Sequence, residues 1–190
     1  MYFEKSGKSN TEQVVQCAAQ YAKEHGIKHI VAASNTGYTA DILFDMLPEG
    51  VQLTVVTHVI GMTENGVDEM GAENRAKLAE KGIKVVTGTH VLSGVERSLS
   101  GKFGGVYPVE VMAHTLRIFG AGTKVAVECA TMALDNGAIP YGEDIISIGG
   151  TGRGADTAVL MRPAHGSRIF ETAIHEIICK PRGIVQPPKS

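Results

Sequence analysis

Short runs of β-branched and aliphatic residues alternate with longer segments of helical periodicity along most of this sequence. The run HIVAAS is apolar without alternation, as expected of a strand in a sheet that is covered on both faces. VQLTVVT, IKVVTG and EDIISIGG are interpreted in the same way. Repeated strand–helix–strand units predict right-handed crossovers and a three-layer α/β/α sandwich with a mostly parallel sheet.

Helical segments separate these strands. The first is predicted from a cap at Asn10 to a stop near Gly26, with apolar residues at helical spacing: Val14, Cys17, Ala18 and Tyr21. A second helix is expected to stop before Pro48, because the residue that precedes a proline disfavours helical geometry. Further helices are predicted within 69–82, 109–119 and 123–136.

The remaining segments are less regular. Residues 89–108 contain five Gly or Pro in twenty positions, which predicts an extended, partly ordered connection. Residues 157–163 are interpreted as a fifth strand, and residues 172–181 as a strand or a helix. The proline-rich tail 183–190 is expected to form no regular element.

The composition limits the classes of partner. With 190 residues, the chain is expected to form one domain, residues 1–190. The formal charge of −2 gives no bulk basic field, so neither a nucleic acid nor an anionic membrane is an expected partner. The first residues lack the apolar core of a signal peptide. The three cysteines are odd in number and too widely spaced to suggest disulfides or zinc ligands, which predicts core thiols in the cytoplasm.

Four segments rich in Gly, Ser and Thr are expected at one edge of the sheet. They follow successive predicted strands: ASNTGYTA, THVIGM, TGTHVLSG and GGTGRGAD. In open parallel sheets, ligands bind outside the carboxyl ends of the strands. The sequence therefore predicts that any small-molecule site lies at this edge.

ASNTGYTA at residues 33–40 leads directly into a helix, whose first backbone N–H groups are unpaired and favour an anion. Gly37 allows close approach of a ligand, and the hydroxyl groups of Ser34, Thr36 and Thr39 can donate hydrogen bonds. This pattern predicts a phosphate site. The alternative is a well-capped helix without a ligand, because Ser, Asn and Thr are also the preferred capping residues.

GGTGRGAD at residues 149–156 adds the cation Arg153, whose planar guanidinium suits phosphate oxygens. The segment contains a G-x-G pattern, but a strand and not a helix follows it, so a Rossmann fingerprint is rejected. A glycine turn that joins two strands is the alternative.

Three further features carry charged or titratable side chains. His58 and His90 lack a second ligand at metal-binding spacing, so no metal site is predicted; each is a pocket wall, a general base or a structural histidine. Lys124 and Glu128, at i and i+4, are expected to form an ordinary surface ion pair. RSLSGK at residues 97–102 is either a phosphate contact or a solvated loop.

The S-x-T-G-x-T-A segment resembles the phosphate-binding loop in the C-terminal domain of pyruvate kinase. The chain as a whole resembles a stand-alone family of pyruvate kinase C-terminal-domain-like proteins, from about residue 10 to residue 183. The stretches that carry this resemblance are NTEQ, GIKHIVAAS, HVLSGVERSLSGKFGGV, GAIP, GGTGRGADTAV, RPAH and EIICKPRG.

The resemblance implies a mixed sheet with one antiparallel strand, and flavin mononucleotide (FMN) as the bound ligand. It implies that the phosphate is held by Ser34, Asn35, Thr36, Gly37 and Thr39. The ribityl or ring portion would be lined by Thr57, His58 and His90, and the other side closed by Gly149, Gly150, Thr151, Gly152, Arg153 and Gly154. Val59, Ile60 and Met62 are candidates for apolar cover of the ring. By analogy with pyruvate kinase, homo-oligomers are also expected.

Three functions remain open from the sequence. One is an FMN-binding protein whose redox role is unknown, and another is a non-catalytic module that senses a phosphorylated metabolite such as a sugar phosphate. The third is hydrolysis or transfer on a phosphorylated substrate, with His58 or His90 as general base. The catalytic barrel of pyruvate kinase is absent, so its phosphoryl transfer cannot be carried over, and the sequence does not decide whether the protein is an enzyme.

Overall fold

The computed structural model describes residues 1–183. Over that range, seven strands form one sheet in the order β1-β7-β6-β5-β2-β3-β4. Only β6 among them runs against its neighbours, being antiparallel to both β5 and β7. The strands are β1 (Tyr2–Phe3), β2 (His29–Ala33), β3 (Gln52–Val56), β4 (Lys84–Val86), β5 (Ile145–Gly149), β6 (Thr157–Arg162) and β7 (Ala173–Pro181).

Helices cover both faces of the sheet. They are α1 (Thr11–His25), α2 (Tyr38–Met46), α3 (Gly71–Glu80), α4 (Gly94–Phe103), α5 (Pro108–Arg117) and α6 (Ala121–Asp135), with short 3-10 turns at Lys8–Asn10 and Gly166–Glu171. α1, α2 and α3 pack on one face and α5 and α6 on the other, while α4 packs against α5. The predicted three-layer α/β/α sandwich with one antiparallel strand is confirmed.

The central strands are buried on both faces, which explains their continuous apolar sequence. In β2, the side chain of Ile30 packs towards α1 and α2, whereas that of Val31 belongs to the cluster beneath α6. In β5, Ser147 faces α6 and satisfies its buried hydroxyl group by donating to the Ala126 carbonyl oxygen at 2.7 Å. The alternation of side chains along each strand thus builds two cores, one on each side of the sheet.

Most of the predicted elements are confirmed. α1 ends where Gly26 adopts a left-handed conformation with φ of 67°, and α2 ends at Met46, before Pro48. Residues 157–162 form the fifth of the predicted strands, and residues 173–181 resolve as a strand. The prediction for the tail concerns residues 183–190, almost all of which lie outside the described range.

One prediction of secondary structure was wrong. Residues 89–108 are not an extended connection, because α4 occupies Gly94–Phe103. Its glycines lie at the two ends of the helix or at the exposed Gly101, where the loss of a side chain removes no packing. RSLSGK is accordingly part of a helix and not a loop.

The cysteines bear on the prediction of core thiols, and the helices on whether the chain could span a membrane. All three cysteines are free; Cys129 and Cys179 are buried, as expected of core thiols, while Cys17 is only half-buried. No helix found in residues 1–183 is both long enough and apolar enough to span a lipid bilayer.

The carboxyl ends of the parallel strands define one edge of the sheet. α1 and α6 each lead into the amino end of a parallel strand, and α2 leaves the carboxyl end of β2. All three helices therefore begin at the carboxyl edge. Their N-terminal partial positive charges converge there, together with the loops that follow β2, β3, β4 and β5.

Candidate functional site

The start of α2 has the geometry of an anion site. Gly37 precedes the helix with φ of 89°, a conformation that side chains other than glycine adopt with strain. Its carbonyl oxygen accepts the first helical hydrogen bond, from Asp41 N at 2.9 Å. The backbone N–H groups of Tyr38 and Thr39 therefore stand in the first turn, where helix geometry offers no carbonyl acceptor.

The polar side chains before α2 divide into two groups. Ser34 is buried, and its hydroxyl oxygen accepts a hydrogen bond from Ala40 N at 3.4 Å. Thr39 is also buried, whereas Thr36 is exposed. Ser34 thus serves the local structure of the helix start, and the Thr36 hydroxyl group is the one accessible to a ligand.

A lysine that the sequence reasoning did not select lies beside this helix start. Lys8 Nζ is 4.3 Å from the centre of the Tyr38 ring, a distance typical of a cation–π contact. The backbone of Lys8 packs closely against the glycine turn, since a Cβ atom on Gly154 would lie 2.8 Å from Lys8 Cα. Lys8 is remote in sequence from α2, so no local pattern could have identified it.

The glycine turn after β5 packs closely on its surroundings. A Cβ atom on Gly149 would lie 2.2 Å from the Gly122 carbonyl oxygen in α6, and one on Gly150 would lie 2.1 Å from the Gly154 carbonyl oxygen. These glycines are required by packing, which agrees with the alternative reading of a plain turn. Gly152 and Arg153 are exposed and remain accessible to a ligand.

A buried aspartate holds the same turn in place. Asp156 is fully buried, and its Oδ2 accepts hydrogen bonds from Gly7 N at 2.9 Å and Thr151 N at 3.1 Å. Its Oδ1 accepts from the Thr157 hydroxyl group at 2.8 Å. Asp156 thereby joins the first residues of the chain to the glycine turn. Like Lys8, it was not among the site residues predicted from the sequence.

His58 is held on both sides of its ring. Its backbone N donates to Asn35 Oδ1 at 2.9 Å, which fixes the orientation of the Asn35 amide. Asn35 Nδ2 therefore donates to His58 Nε2 at 3.0 Å, and Nδ1–H donates to Glu69 Oε2 at the same distance. This set of partners assigns a neutral imidazole with its proton on Nδ1.

His90 is also a neutral imidazole. Its Nε2 accepts a hydrogen bond from Val59 N at 3.2 Å, so that nitrogen carries no proton. Burial lowers the pKa of His90 below its ordinary value of 6.5, and the nearby Glu128 carboxylate only partly opposes this effect. The His90 and His58 rings lie 5.6 Å apart, at a tilt of 50°.

Thr57 belongs to a structural network behind the histidines. Its side chain is buried, and its hydroxyl group donates to the His58 carbonyl oxygen at 2.8 Å and lies 2.6 Å from the hydroxyl group of Thr87. Arg75 donates to the Thr87 hydroxyl group at 2.7 Å and binds Asp68 through two nitrogen atoms. The hydrogen bonds from Arg75 lower the pKa of Asp68.

Lys124 and Glu128 do not form a surface pair, so that prediction was wrong. Both are about 95% buried, and the Lys124 ammonium donates to Glu128 Oε2. Glu128 Oε1 accepts a hydrogen bond from Leu92 N at 2.9 Å. The loop that carries Leu92 covers this face of α6, and i,i+4 spacing alone does not reveal whether a helix face is covered.

A cavity in the described part of the chain lies at the opposite edge of the sheet. Its volume is about 770 Å³, and it opens between the end of α1 and the segment that follows α2, lined among others by Ala22, Ile27, Met46 and Val51. The polar groups described above converge at the carboxyl edge instead. We therefore assign the candidate site to that edge, on chemistry and not on cavity size.

Comparison with known proteins identifies the family. A sequence profile described as "Pyruvate kinase, alpha/beta domain" matches residues 12–162, which is most of the chain. The protein belongs to the pyruvate kinase alpha/beta domain family. The predicted resemblance to this domain is confirmed.

Several solved structures are similar to parts of this chain at low sequence identity. A structure of pyruvate kinase from Cryptosporidium parvum matches 74% of this chain, with 16% sequence identity and a TM-score of 0.39. The structure of the same enzyme in complex with ADP matches 79% of this chain, with 16% identity and a TM-score of 0.41. A methyltransferase from Podospora anserina, solved with S-adenosylhomocysteine, is 14% identical over 75% of this chain and 53% of its own, with a TM-score of 0.33. The chain spans only 20% to 22% of the two pyruvate kinase chains.

Proposed function

We propose that the protein binds a phosphorylated ligand at the carboxyl edge of the sheet, with the phosphate at the start of α2 and FMN as the first candidate. The observation that carries this proposal is the convergence of three kinds of donor at one helix start. These are the backbone N–H groups that follow Gly37, the exposed Thr36 hydroxyl group, and the Lys8 ammonium beside Tyr38.

Physical chemistry favours an anion at this point. A helix N-terminus carries a partial positive charge, and charge-assisted hydrogen bonds to phosphate are stronger than neutral ones. The chain as a whole has a net charge of −2, so any attraction for a phosphate must be local. Lys8 supplies a local cation that the overall composition does not reveal.

The residues present fit the phosphate of FMN, and apolar side chains that could cover the flavin ring lie nearby in the sequence. The Thr36 hydroxyl group, the backbone N–H groups of Tyr38 and Thr39 that follow Gly37, and the Lys8 ammonium would hold the phosphate. Ile60, which is 52% exposed in the loop after β3, is available as apolar cover for a flavin ring. A bound flavin would supply one- and two-electron redox chemistry, while the protein would orient it and exclude water.

His58, His90, Gly152 and Arg153 would line the remainder of the site. Ser34, Asn35, Thr57, Gly149, Gly150, Thr151 and Gly154 would act from behind it, since their polar groups or backbones serve internal contacts. Asn35 positions His58, and Thr57 supports the same loop through its hydroxyl group.

A sensor of phosphorylated metabolites is the second candidate. The observation that favours it is the internal satisfaction of both histidines: His58 is bonded to Asn35 and Glu69, and His90 accepts from Val59 N. A general base needs a free basic nitrogen within reach of its substrate. In this arrangement both Nε2 atoms are already acceptors, which suits a binding module better than proton transfer.

The first experiment is the absorption spectrum of freshly purified protein, followed by mass spectrometry of the material that heat releases. Flavin bands and a released mononucleotide are expected. Thr36→Asp should abolish binding, because it sets a carboxylate against the phosphate. Thr115→Asp, at an exposed position of α5, should not. A colourless protein that also fails to take up added FMN would overturn the flavin assignment. Stabilisation of that colourless protein by sugar phosphates would support the sensor.

A further inference from the structure

Three side chains that carry sulfur lie where α1 packs over β1 and β7. They belong to Cys17 on α1, to Met1 directly before β1, and to Cys179 on β7. Cys17 Sγ lies 3.9 Å from Met1 Sδ, so these two sulfur atoms are in contact. The pairing of β1 with β7 places the third residue, Cys179, beside them.

Met1 is the neighbour of Cys179 in the sheet. The Met1 ammonium group donates to the Ile178 carbonyl oxygen at 2.6 Å, and Lys180 N donates to the Met1 carbonyl oxygen at 3.2 Å. These two bonds flank Cys179 and continue the parallel register in which Tyr2 pairs with Lys180. Because neighbouring strands lie about 4.8 Å apart, the backbones of Met1 and Cys179 are separated by roughly that distance.

Both residues direct their side chains to the α1 face of the sheet. Cys179 is fully buried and belongs to the core cluster that α1 covers. Phe3 belongs to the same cluster, and side chains two residues apart on a strand point to the same face, so the Met1 side chain points there too. The contact between Met1 Sδ and Cys17 on α1 agrees with this orientation.

α1 carries Cys17 to the level of Cys179. The Tyr21 hydroxyl group, one helical turn after Cys17, donates to Glu176 Oε2 on β7 at 2.8 Å. α1 and β7 run in opposite directions, so Cys17 lies about 6 Å nearer the carboxyl edge than Tyr21. Two residues of a strand cover about the same length, which brings Cys17 level with Ile178 and its neighbour Cys179.

We propose that the sulfur atoms of Cys17, Met1 and Cys179 bind one soft monovalent metal ion, Cu(I), between α1 and the sheet. Thiolate and thioether ligands favour Cu(I), whereas Ca²⁺ and Mg²⁺ require oxygen ligands. A structural zinc site takes four ligands, one more than this cluster supplies. Within residues 1–183, no group of three His, Cys, Asp or Glu side chains is placed to hold a metal, and the Met1 thioether is what completes the present set.

The surroundings of the cluster allow the ion to enter and offset its charge. Met1 is 60% exposed and Cys17 is half-buried, so an ion can approach from solvent, while Cys179 lies at the buried end. Binding converts Cu⁺ and two thiols into a dithiolate complex and releases two protons to solvent. The complex carries one negative charge, and the Met1 ammonium group lies beside it.

The metal-free protein keeps the buried ligand in its thiol form. Burial, and after it the neighbouring Cys17, raise the pKa of Cys179 to about 12. A like charge has this effect only when the two groups lie close together, which agrees with the position of Cys17 derived from the strand register. A metal ion displaces the thiol proton, because coordination deprotonates a thiol outright.

The sulfur cluster is separate from the proposed phosphate site. β5 and β6 lie between β7 and β2, and the phosphate site follows β2. Neither proposal depends on the other, so the failure of one leaves the other in place. Since only the folded chain brings the three ligands together, Cu(I) should also raise the melting temperature of the protein.

The first test is a titration of the reduced full chain with Cu(I), without oxygen and in competition with a coloured Cu(I) chelator. One equivalent is expected to bind per chain of 20.1 kDa. Cys17→Ala should lower the affinity by more than about a hundredfold, because losing a direct ligand costs more than losing an outer-shell partner. Cys129→Ala is the matched control: Cys129 is a buried thiol in the core on the opposite face, so this variant should bind as the wild type does.

Two further measurements test the other ligands. Cys179→Ala should lose the ion as Cys17→Ala does, once circular dichroism has shown that the variant is folded. X-ray absorption at the copper edge of the wild-type complex needs no substitution, and it should count three sulfur ligands, of which the Met1 thioether is one. Thus the buried ligand is tested even where Cys179→Ala fails to fold.

Several results would overturn the proposal. They are a wild type that takes no Cu(I) from the chelator, an affinity that is unchanged in Cys17→Ala, and an equal loss in Cys17→Ala and Cys129→Ala. Fewer than three sulfur ligands at the copper edge would also overturn it, as would displacement of the ion by an equal concentration of Zn²⁺. Copper that is retained in Cys17→Ala with nitrogen ligands would place the ion at histidines instead.

Discussion

Asn35 and His58 hold each other through two hydrogen bonds, at 2.9 Å between His58 N and Asn35 Oδ1 and at 3.0 Å between Asn35 Nδ2 and His58 Nε2. Asn35 follows β2 and His58 follows β3, and these strands are adjacent and parallel. One amide therefore ties together the two loops that lead to the phosphate site and to the histidine pair. The same amide determines which nitrogen of His58 carries the proton.

Replacing Asn35 should destabilise the fold. In Asn35→Leu, the backbone N–H of His58 loses its acceptor in a partly buried position, so we expect the free energy of unfolding to fall by about 1–3 kcal/mol. Urea denaturation measures this change. Asn65→Leu, in the exposed part of the loop that follows β3, should change the stability by less than about 0.5 kcal/mol. Equal effects in the two variants would contradict the bridging role of Asn35.

The buried Lys124–Glu128 pair should respond asymmetrically to substitution. Lys124→Met alone leaves a buried carboxylate without its cation, and the free energy of unfolding should fall by roughly 3–5 kcal/mol. Adding Glu128→Gln should recover most of the loss, because the amide oxygen can still accept from Leu92 N. Both variants are measured by chemical denaturation.

An exposed ion pair is the control for this experiment. Lys77 Nζ and Asp41 Oδ2 are 2.7 Å apart, the lysine side chain is about half exposed, and Asp41 keeps a second partner in Lys81, so Lys77→Met should cost less than about 1 kcal/mol. If the two lysine substitutions had the same effect, or if the double variant were no more stable than Lys124→Met, the burial of the pair would be contradicted.

His90 should make stability depend on pH. Because burial lowers its pKa, the unfolded chain takes up a proton near pH 6.5 while the folded protein does not. The contribution of His90 to the free energy of unfolding is therefore constant above the pKa that His90 has in the unfolded chain. It is lost as the pH falls from that value to the lower pKa of His90 in the folded protein. In His90→Gln, which keeps an acceptor for Val59 N, this part of the pH dependence should disappear.

Denaturant titrations at pH values on both sides of 6.5 measure this effect. Subtracting the curve of the variant from that of the wild type cancels groups that titrate equally in both proteins. His114→Gln, on the exposed face of α5, is the matched control and should leave the pH dependence as in the wild type. A wild-type pH dependence retained in His90→Gln would show that other groups cause it.

Local patterns allowed the fold to be predicted more fully than the site. The strand and helix periods, the stop before Pro48 and the turn from β5 into β6 are all encoded within a few residues. α4 was missed because its glycines lie at exposed positions and at the helix ends, where they disrupt nothing. A high glycine content indicates irregular structure, but tertiary context overrides that signal here.

The site depends on contacts between residues that are distant in the sequence. His58 was selected for its residue type, but its partners Asn35 and Glu69 come from two other parts of the chain. Lys124 and Glu128 show the same limit: their spacing predicts a pair, but only the packed structure reveals that the pair is buried. Polar residue types indicate where chemistry is available, and their partners decide what remains free to bind a ligand.

Lys8 provides the sharpest test of where a phosphate binds. If the phosphate lies at the start of α2, then Lys8→Ala removes the cation that lies beside Tyr38, and affinity should fall about fivefold, or roughly 1 kcal/mol. Calorimetry with FMN measures this, and the difference from wild type should shrink at high salt, because the Lys8 charge is exposed. Lys5→Ala is the control, since Lys5 is also exposed and lies near Lys8 in the chain. Equal loss in both variants would indicate a diffuse charge effect, and no loss in Lys8→Ala would place the phosphate away from α2.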